Sequence, residues 1–213
     1  HTRYRSSAAS DVYKRQGKSG KDWHITIEDD GLVDLILKTN RLGAKDADLF
    51  MYISEAGNEV DLKAEHINQY IRDSSGMGFT AKNFRTWAAT SRCAERLAFL
   101  SSKRTASEMK KWLKSIPSVE SMDKLWSEGD WDVPTTDTGR NKAMLAVIDT
   151  VAANLGNTRT VCRSSYIHPW FLDAWAEGRL SEAWAEFEDM RAMGNMTPGE
   201  STTLRILKSV IKG

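Results

Sequence analysis

Apolar and polar positions alternate near the front of the chain and predict a strand. Over residues 22–28, Trp23, Ile25 and Ile27 fall on one face and His24, Thr26 and Glu28 on the other. This half-buried strand has no evident partner, which would leave an apolar sheet edge unpaired. Beyond it the period becomes helical. Residues 31–42 read as a short helix, and 49–54 as a short apolar run ending at a turn. Asp61 is placed to cap a helix on which Leu62, Ile67, Tyr70 and Ile71 share helical spacing. Thr80 is placed to cap a long helix over 81–100. Thr105 and Glu108 have capping-box spacing ahead of a short basic helix that Pro117 stops. Residues 117–138, with prolines and scattered acids, read as a loop. A helix over 139–155 carries Met144, Val147, Ile148 and Val151 on one stripe, and Gly156 ends it as a left-handed cap. Short helices follow over 159–166 and from Pro169 to near Gly178, then two more over 180–193 and 199–212. The fold class is mainly α. Residues 1–16 show no apolar period and read as a tail foreign to the domain, which would occupy 17–213.

Composition narrows the class. The chain has 213 residues, 40% apolar and 28% charged, as a globular protein does. No apolar run approaches the ~18 residues of a membrane span, and the opening does not read as a signal peptide. Two cysteines, Cys93 and Cys162, make neither a disulfide framework nor a zinc site, which favours a reducing compartment. The net charge of +1 conceals a segregation. Between Thr80 and Ile116, nine Lys and Arg face only Glu95 and Glu108, whereas between Trp170 and Glu200 seven acids face Arg179 and Arg191. A basic middle suits a polyphosphate backbone. The plainer reading, a solvated helical face, remains open.

Candidate chemistry lies in two places. Lys82 and Arg85, three apart, share one side of the first turn of the 81–100 helix, where free N–H groups also favour an anion. Phe84 and Trp87 would bury the opposite side. In 155–169, a helix ends at Gly156, Asn157 follows, and a short helix presents Tyr166. Tyrosine is a weak nucleophile at neutral pH and needs nearby cations and a stabilised leaving group. An ordinary half-buried tyrosine is the alternative. His168 reads as a satisfied structural histidine.

The segments FTAKNFRTWAAT (79–90) and LGNTRTVCRSSYIHP (155–169) together resemble the bacterial, poxvirus-like branch of the type IB DNA topoisomerases. GKSGKDWHITIED (17–29) resembles that family's lysine-bearing β-hairpin, and the resemblance runs over roughly 17–175. It implies a helical catalytic domain with a short N-terminal hairpin. Tyr166 would attack a DNA phosphodiester to form a 3′-phosphotyrosyl link. Arg85 would bind the non-bridging oxygens, and Asn157 would donate to the same phosphate. Lys18 would protonate the leaving 5′ oxygen, with Lys82 as an accessory lysine. Arg163, Arg92 and Lys21 would contact DNA. The implied partner is double-stranded DNA, met by a monomer without cofactor or metal, in the cytoplasm at the nucleoid.

Two departures qualify the resemblance. The family's second active-site arginine has no counterpart in 1–16, and its small N-terminal clamping domain is missing. Residues 101–137 read as an insertion containing a short basic helix. A tyrosine recombinase is one competing reading. It usually carries H-x-x-R at the second arginine and a histidine where Asn157 stands. A DNA-binding fragment that no longer cleaves is the other.

Overall fold

The computed structural model of the protein describes residues 11–16, 22–27, 29–39 and 50–212. The chain divides into two compact units, His1–Ala81 and Lys82–Gly213.

In the first unit, β1 (Asp11–Gln16) pairs antiparallel with β2 (Asp22–Ile27), setting Gln16 opposite Asp22 and Asp11 opposite Ile27. This corrects two expectations. Residues 11–16 form a strand, and the apolar strand that follows has a partner. Val12 and Tyr13 are strand formers, and pairing satisfies backbone groups that a lone strand would leave unbonded. The connecting loop with Lys18 and Lys21 lies outside the described residues, as does the stretch 1–10. Helix α1 (Asp30–Thr39) starts where the Asp29 carboxylate accepts from the Leu32 N–H at 2.7 Å. The apolar run at 49–54 is half of a second hairpin, β3 (Met51–Ile53) with β4 (Glu59–Asp61). Gly57 turns it with φ 80°. Asp61 therefore ends a strand rather than capping α2 (Ala64–Ser75). Lys63 stands at the cap, and its N–H donates to His66 Nδ1 at 3.1 Å.

The second unit is helical. Its centre is α3 (Ala81–Leu100) and α6 (Asp137–Leu155). Ala89, Cys93, Leu97 and Leu100 recur at helical spacing on α3, as Met144, Val147, Ile148, Val151 and Leu155 do on α6, and all are buried. Small residues, Ala94, Ala143 and Ala146 among them, line the same buried faces.

The segment 101–137 is not a loose insertion. It contains α4 (Ala106–Leu113), with its Thr105–Glu108 capping box formed, and α5 (Glu120–Leu125) where a loop was expected. Met109, Met122, Trp126 and Trp131 are buried. The Trp131 indole donates to the Leu100 carbonyl at 2.9 Å, and Arg104 and Trp131 exchange backbone hydrogen bonds. Apolar anchors spaced far apart fasten the segment, so no single window of sequence displays them.

Three helices close the unit's core. They are α7 (Arg159–Ser165), α8 (Pro169–Ala176) and α10 (Pro198–Lys212). Between the last two, α9 (Leu180–Ala185) stops well short of the 193 expected. Among the described residues no helix is long and apolar enough to cross a membrane.

Candidate active site

Three of the residues singled out in the sequence meet where α3, α6 and α7 converge. The end of α6 sets the first of them. Gly156, at φ 63°, lets the chain leave the helix in the left-handed region. Its N–H returns to Ala153 O, and the Asn157 N–H returns to Ala152 O at 2.9 Å. This paired closure fixes Asn157 one residue beyond the cap. It leaves the Leu155 carbonyl without a helical partner.

Arg85 takes that carbonyl. Its Nη2 donates to Leu155 O at 2.8 Å and more weakly to Asn157 Oδ1 at 3.4 Å. The cation thus sits at the negative end of the α6 dipole, which favours it. Its guanidinium carbon lies 5.4 Å from the centre of the Tyr166 ring, within cation–π range. Asn157 Nδ2 is buried and has no hydrogen-bond partner among the described residues. An unmet amide donor beside a guanidinium is suited to an anionic oxygen.

Tyr166 follows the last residue of α7 and is half-buried against the core. Its N–H bonds back to Cys162 O at 3.2 Å, and its carbonyl accepts from Thr90 Oγ1 at 3.0 Å. Cys162, one turn earlier, is buried. Burial pushes its thiol up to about 11, while the Arg85 and Arg96 cations pull the other way. Burial also pushes the Cys93 thiol up. Both are neutral thiols shielded from solvent, so neither competes as a nucleophile.

The remaining candidates divide. Lys82 is exposed one turn before Arg85, with no hydrogen bond or ion pair among the described residues. Arg92 is exposed two turns after Arg85, and Arg163 is exposed on α7, one turn before Tyr166. Lys18 and Lys21 lie outside the described residues. His168 caps α8, its Nδ1 accepting from the Trp170 N–H at 3.3 Å. Phe84 is 61% exposed rather than buried, because it lies ahead of the stretch of α3 that enters the core at Ala89. Trp87 is half-buried, its indole donating to Glu200 at 3.3 Å.

The basic run is not one surface. Arg96 is buried and donates to Thr150 Oγ1 at 2.9 Å and Asn154 Oδ1 at 2.7 Å. Burial draws its pKa down to about 10, helped by the neighbouring Arg92 cation. Arg104 lies over the Phe99 ring and donates to Phe99 O. Two of the nine cations are therefore spent on the fold. Thr90 and the Leu155 carbonyl shape this site, and sequence reasoning missed them. Only tertiary proximity brings them there, and no local pattern marks them.

Residues 13–177 match the family described as the eukaryotic DNA topoisomerase I catalytic core. The chain belongs to this type IB topoisomerase family. The match begins at residue 13, and so takes in the end of the stretch expected to lie outside the domain. Among relatives, the DNA topoisomerase 1B of Acanthamoeba polyphaga mimivirus is 35% identical over 108 residues. Those residues are 49% of this chain and 32% of that protein, so the chain matches about a third of the relative's length. Family membership gives the convergence of Arg85, Asn157 and Tyr166 a chemical context.

Proposed function

We propose that the protein is a DNA topoisomerase of the bacterial, poxvirus-like kind that relaxes supercoiled duplex through a transient tyrosine ester. Tyr166 Oη attacks a backbone phosphorus as its proton passes to solvent water, and the bond to the 5′ oxygen breaks. The product is a 3′-phosphotyrosyl link and a free 5′ hydroxyl. Arg85 neutralises the charge that grows on the non-bridging oxygens, and the Asn157 amide donates to the same phosphate. Lys18 delivers the proton that the departing 5′ oxygen needs. Lys82 is an accessory lysine near the scissile phosphate, and Lys21, Arg92 and Arg163 hold flanking phosphates, contacts that position without reading sequence. The ester conserves the energy of the broken bond, so religation is the reverse step and draws on neither ATP nor metal.

One observation carries this reading. A half-buried tyrosine lies beneath a guanidinium, and that guanidinium adjoins a buried amide donor with no partner among the described residues. An ordinary structural tyrosine needs neither neighbour.

The test is covalent trapping. The chain is incubated with nicked and with supercoiled duplex and quenched in denaturant. The expected product is protein joined to a 3′ DNA end, absent from Tyr166→Phe. Adduct that persists in Tyr166→Phe removes that residue as nucleophile. Salt-sensitive DNA retention without adduct supports the fragment that binds and does not cleave.

A further inference from the structure

We propose that Thr90 is a positioning residue that holds the main chain of Tyr166 in register with Arg85. The inference rests on Tyr166 being the nucleophile. Helix α7 ends at Ser165 and α8 begins at Pro169. The Tyr166 carbonyl and the His168 N–H fall in the break between the helices, where no helical partner serves either group. Thr90 Oγ1 serves both. It donates to Tyr166 O at 3.0 Å and accepts from His168 N at 3.1 Å. A hydroxyl is the smallest group able to do both at once. Thr90 is 3% exposed, so water does not stand ready to replace it.

Three other buried hydroxyls of this unit bond within their own helix, while Ser201 and Thr202 reach out of theirs, Ser201 accepting from the Met193 N–H and Thr202 donating to Phe187 O. Ser91 bonds back to Trp87 O, Thr203 to Gly199 O and Thr150 to Val147 O, each within its own helix. That local return is the common choice for a mid-helix Ser or Thr. Thr90 instead reaches out of α3 to the tyrosine's own peptide.

The consequence is geometric. Thr90 lies five residues after Arg85, about 7.5 Å along the axis of α3. One rigid helix therefore sets both the cation over the Tyr166 ring and the anchor of the Tyr166 backbone. In-line attack on phosphorus depends on that relation, and a displacement of ~1 Å costs about 10²-fold in rate.

The experiment compares the full chain with Thr90→Val, which keeps the shape and removes both bonds, and with Thr90→Ser, which keeps both. Adduct formation is followed in single turnover at saturating concentration of a duplex whose cleaved end diffuses away. Affinity for duplex is measured separately in a Tyr166→Phe background. Thr90→Val is expected to slow adduct formation about 10- to 100-fold with affinity unchanged, and Thr90→Ser to stay within about 3-fold. Equal rates for Thr90→Val and the parent overturn the proposal, as does an equal loss in Thr90→Ser. Should the valine variant fail to fold, Thr90→Cys, which keeps the volume and weakens both bonds, is read by the same criteria. If the parent itself forms no adduct, the reading of this chain as a cleaving enzyme fails. Amide exchange at His168 then decides whether Thr90 holds this backbone. Faster exchange in Thr90→Val, restored in Thr90→Ser, supports the anchor, and unchanged exchange overturns it.

Discussion

None of residues 29–39 and 50–81 is buried, whereas 82–212 contain a continuous core from Ala89 to Ile206. Among the described residues the front unit holds two hairpins and two amphipathic helices, with Leu35, Ile67 and Tyr70 left exposed. In the rear unit, side chains from α3, α6, α7 and α8 interlock. Arg85, Asn157 and Tyr166 all belong to the rear unit, where backbone closures and buried neighbours fix them. Chemistry that depends on sub-ångström placement needs such support. Lys18, proposed above as the proton donor, belongs to the front unit.

The largest effect should come from breaking the rear site itself. Arg85→Ala removes the guanidinium over Tyr166 and frees the Leu155 carbonyl. Adduct formation should fall on the order of 10³-fold, about 4 kcal/mol, by the scale of a lost oxyanion donor. Duplex affinity should change far less, since one phosphate contact among several is lost. Single-turnover trapping beside a filter-retention titration separates the two. A parallel fall in both would make Arg85 an ordinary DNA contact.

Next in size is a stability contrast between the units. Leu97→Ala empties a fully buried site on α3 and should cost about 3 kcal/mol. Ile67→Ala, at 42% exposure on α2, should cost under about 1 kcal/mol. Urea unfolding of each variant measures both. Equal costs would mean that the front unit buries Ile67 against something, and the contrast would collapse.

Much of the rear unit could be read from sequence, because its signals are local. Thr105 with Glu108, Gly156 after α6, and the stripe from Met144 to Val151 all behave as their spacing predicts. Arg85, Asn157 and Tyr166 were visible through family motifs and do converge. What stayed hidden is non-local. β1 carries too few apolar residues to show a period, and its partner reveals it. α5 is a six-residue helix, too short to display a period, and Met122 and Trp126 pin it to the core. Arg96 reads as a surface cation until α6 is seen across from it.

Arg96 gives the third test, which separates a cation in the core from one on the surface. Its hydrogen-bond partners do not depend on it. The Thr150 hydroxyl also donates to Val147 O, and Asn154 is open to water. Arg96→Met should therefore change stability by less than about 1 kcal/mol, as buried ions exchanged for apolar residues often do. Arg96→Ala, which empties the space of the stem, should cost about 2 kcal/mol. Neither should alter the salt dependence of duplex retention. Arg92→Ala, on the exposed face of the same helix, should lower the log–log salt slope by about one. A slope change in Arg96→Met would place that cation at the DNA after all.

The smallest effect concerns how α7 is tied to α6. Asp149 accepts from the Arg159 guanidinium, with Nε at 2.6 Å, and from the Ser121 hydroxyl. Burial pushes the carboxyl up, but the hydrogen bonds from Arg159 and Ser121 outweigh it and hold Asp149 below its ordinary range. A carboxylate depressed in the folded state stabilises fully above its unfolded pKa and loses that contribution as pH falls through the folded value. Arg159 is 45% exposed, which screens the pair and limits its worth. Asp149→Asn should thus cost about 1 kcal/mol at neutral pH. The gap between variant and parent should hold down to about pH 4 and narrow below it, as the parent's own carboxylate takes up its proton. Urea titrations across that range read the gap directly. A gap that stays constant into acid would mean that Asp149 holds α7 by shape and hydrogen bonding alone, with no contribution from its charge.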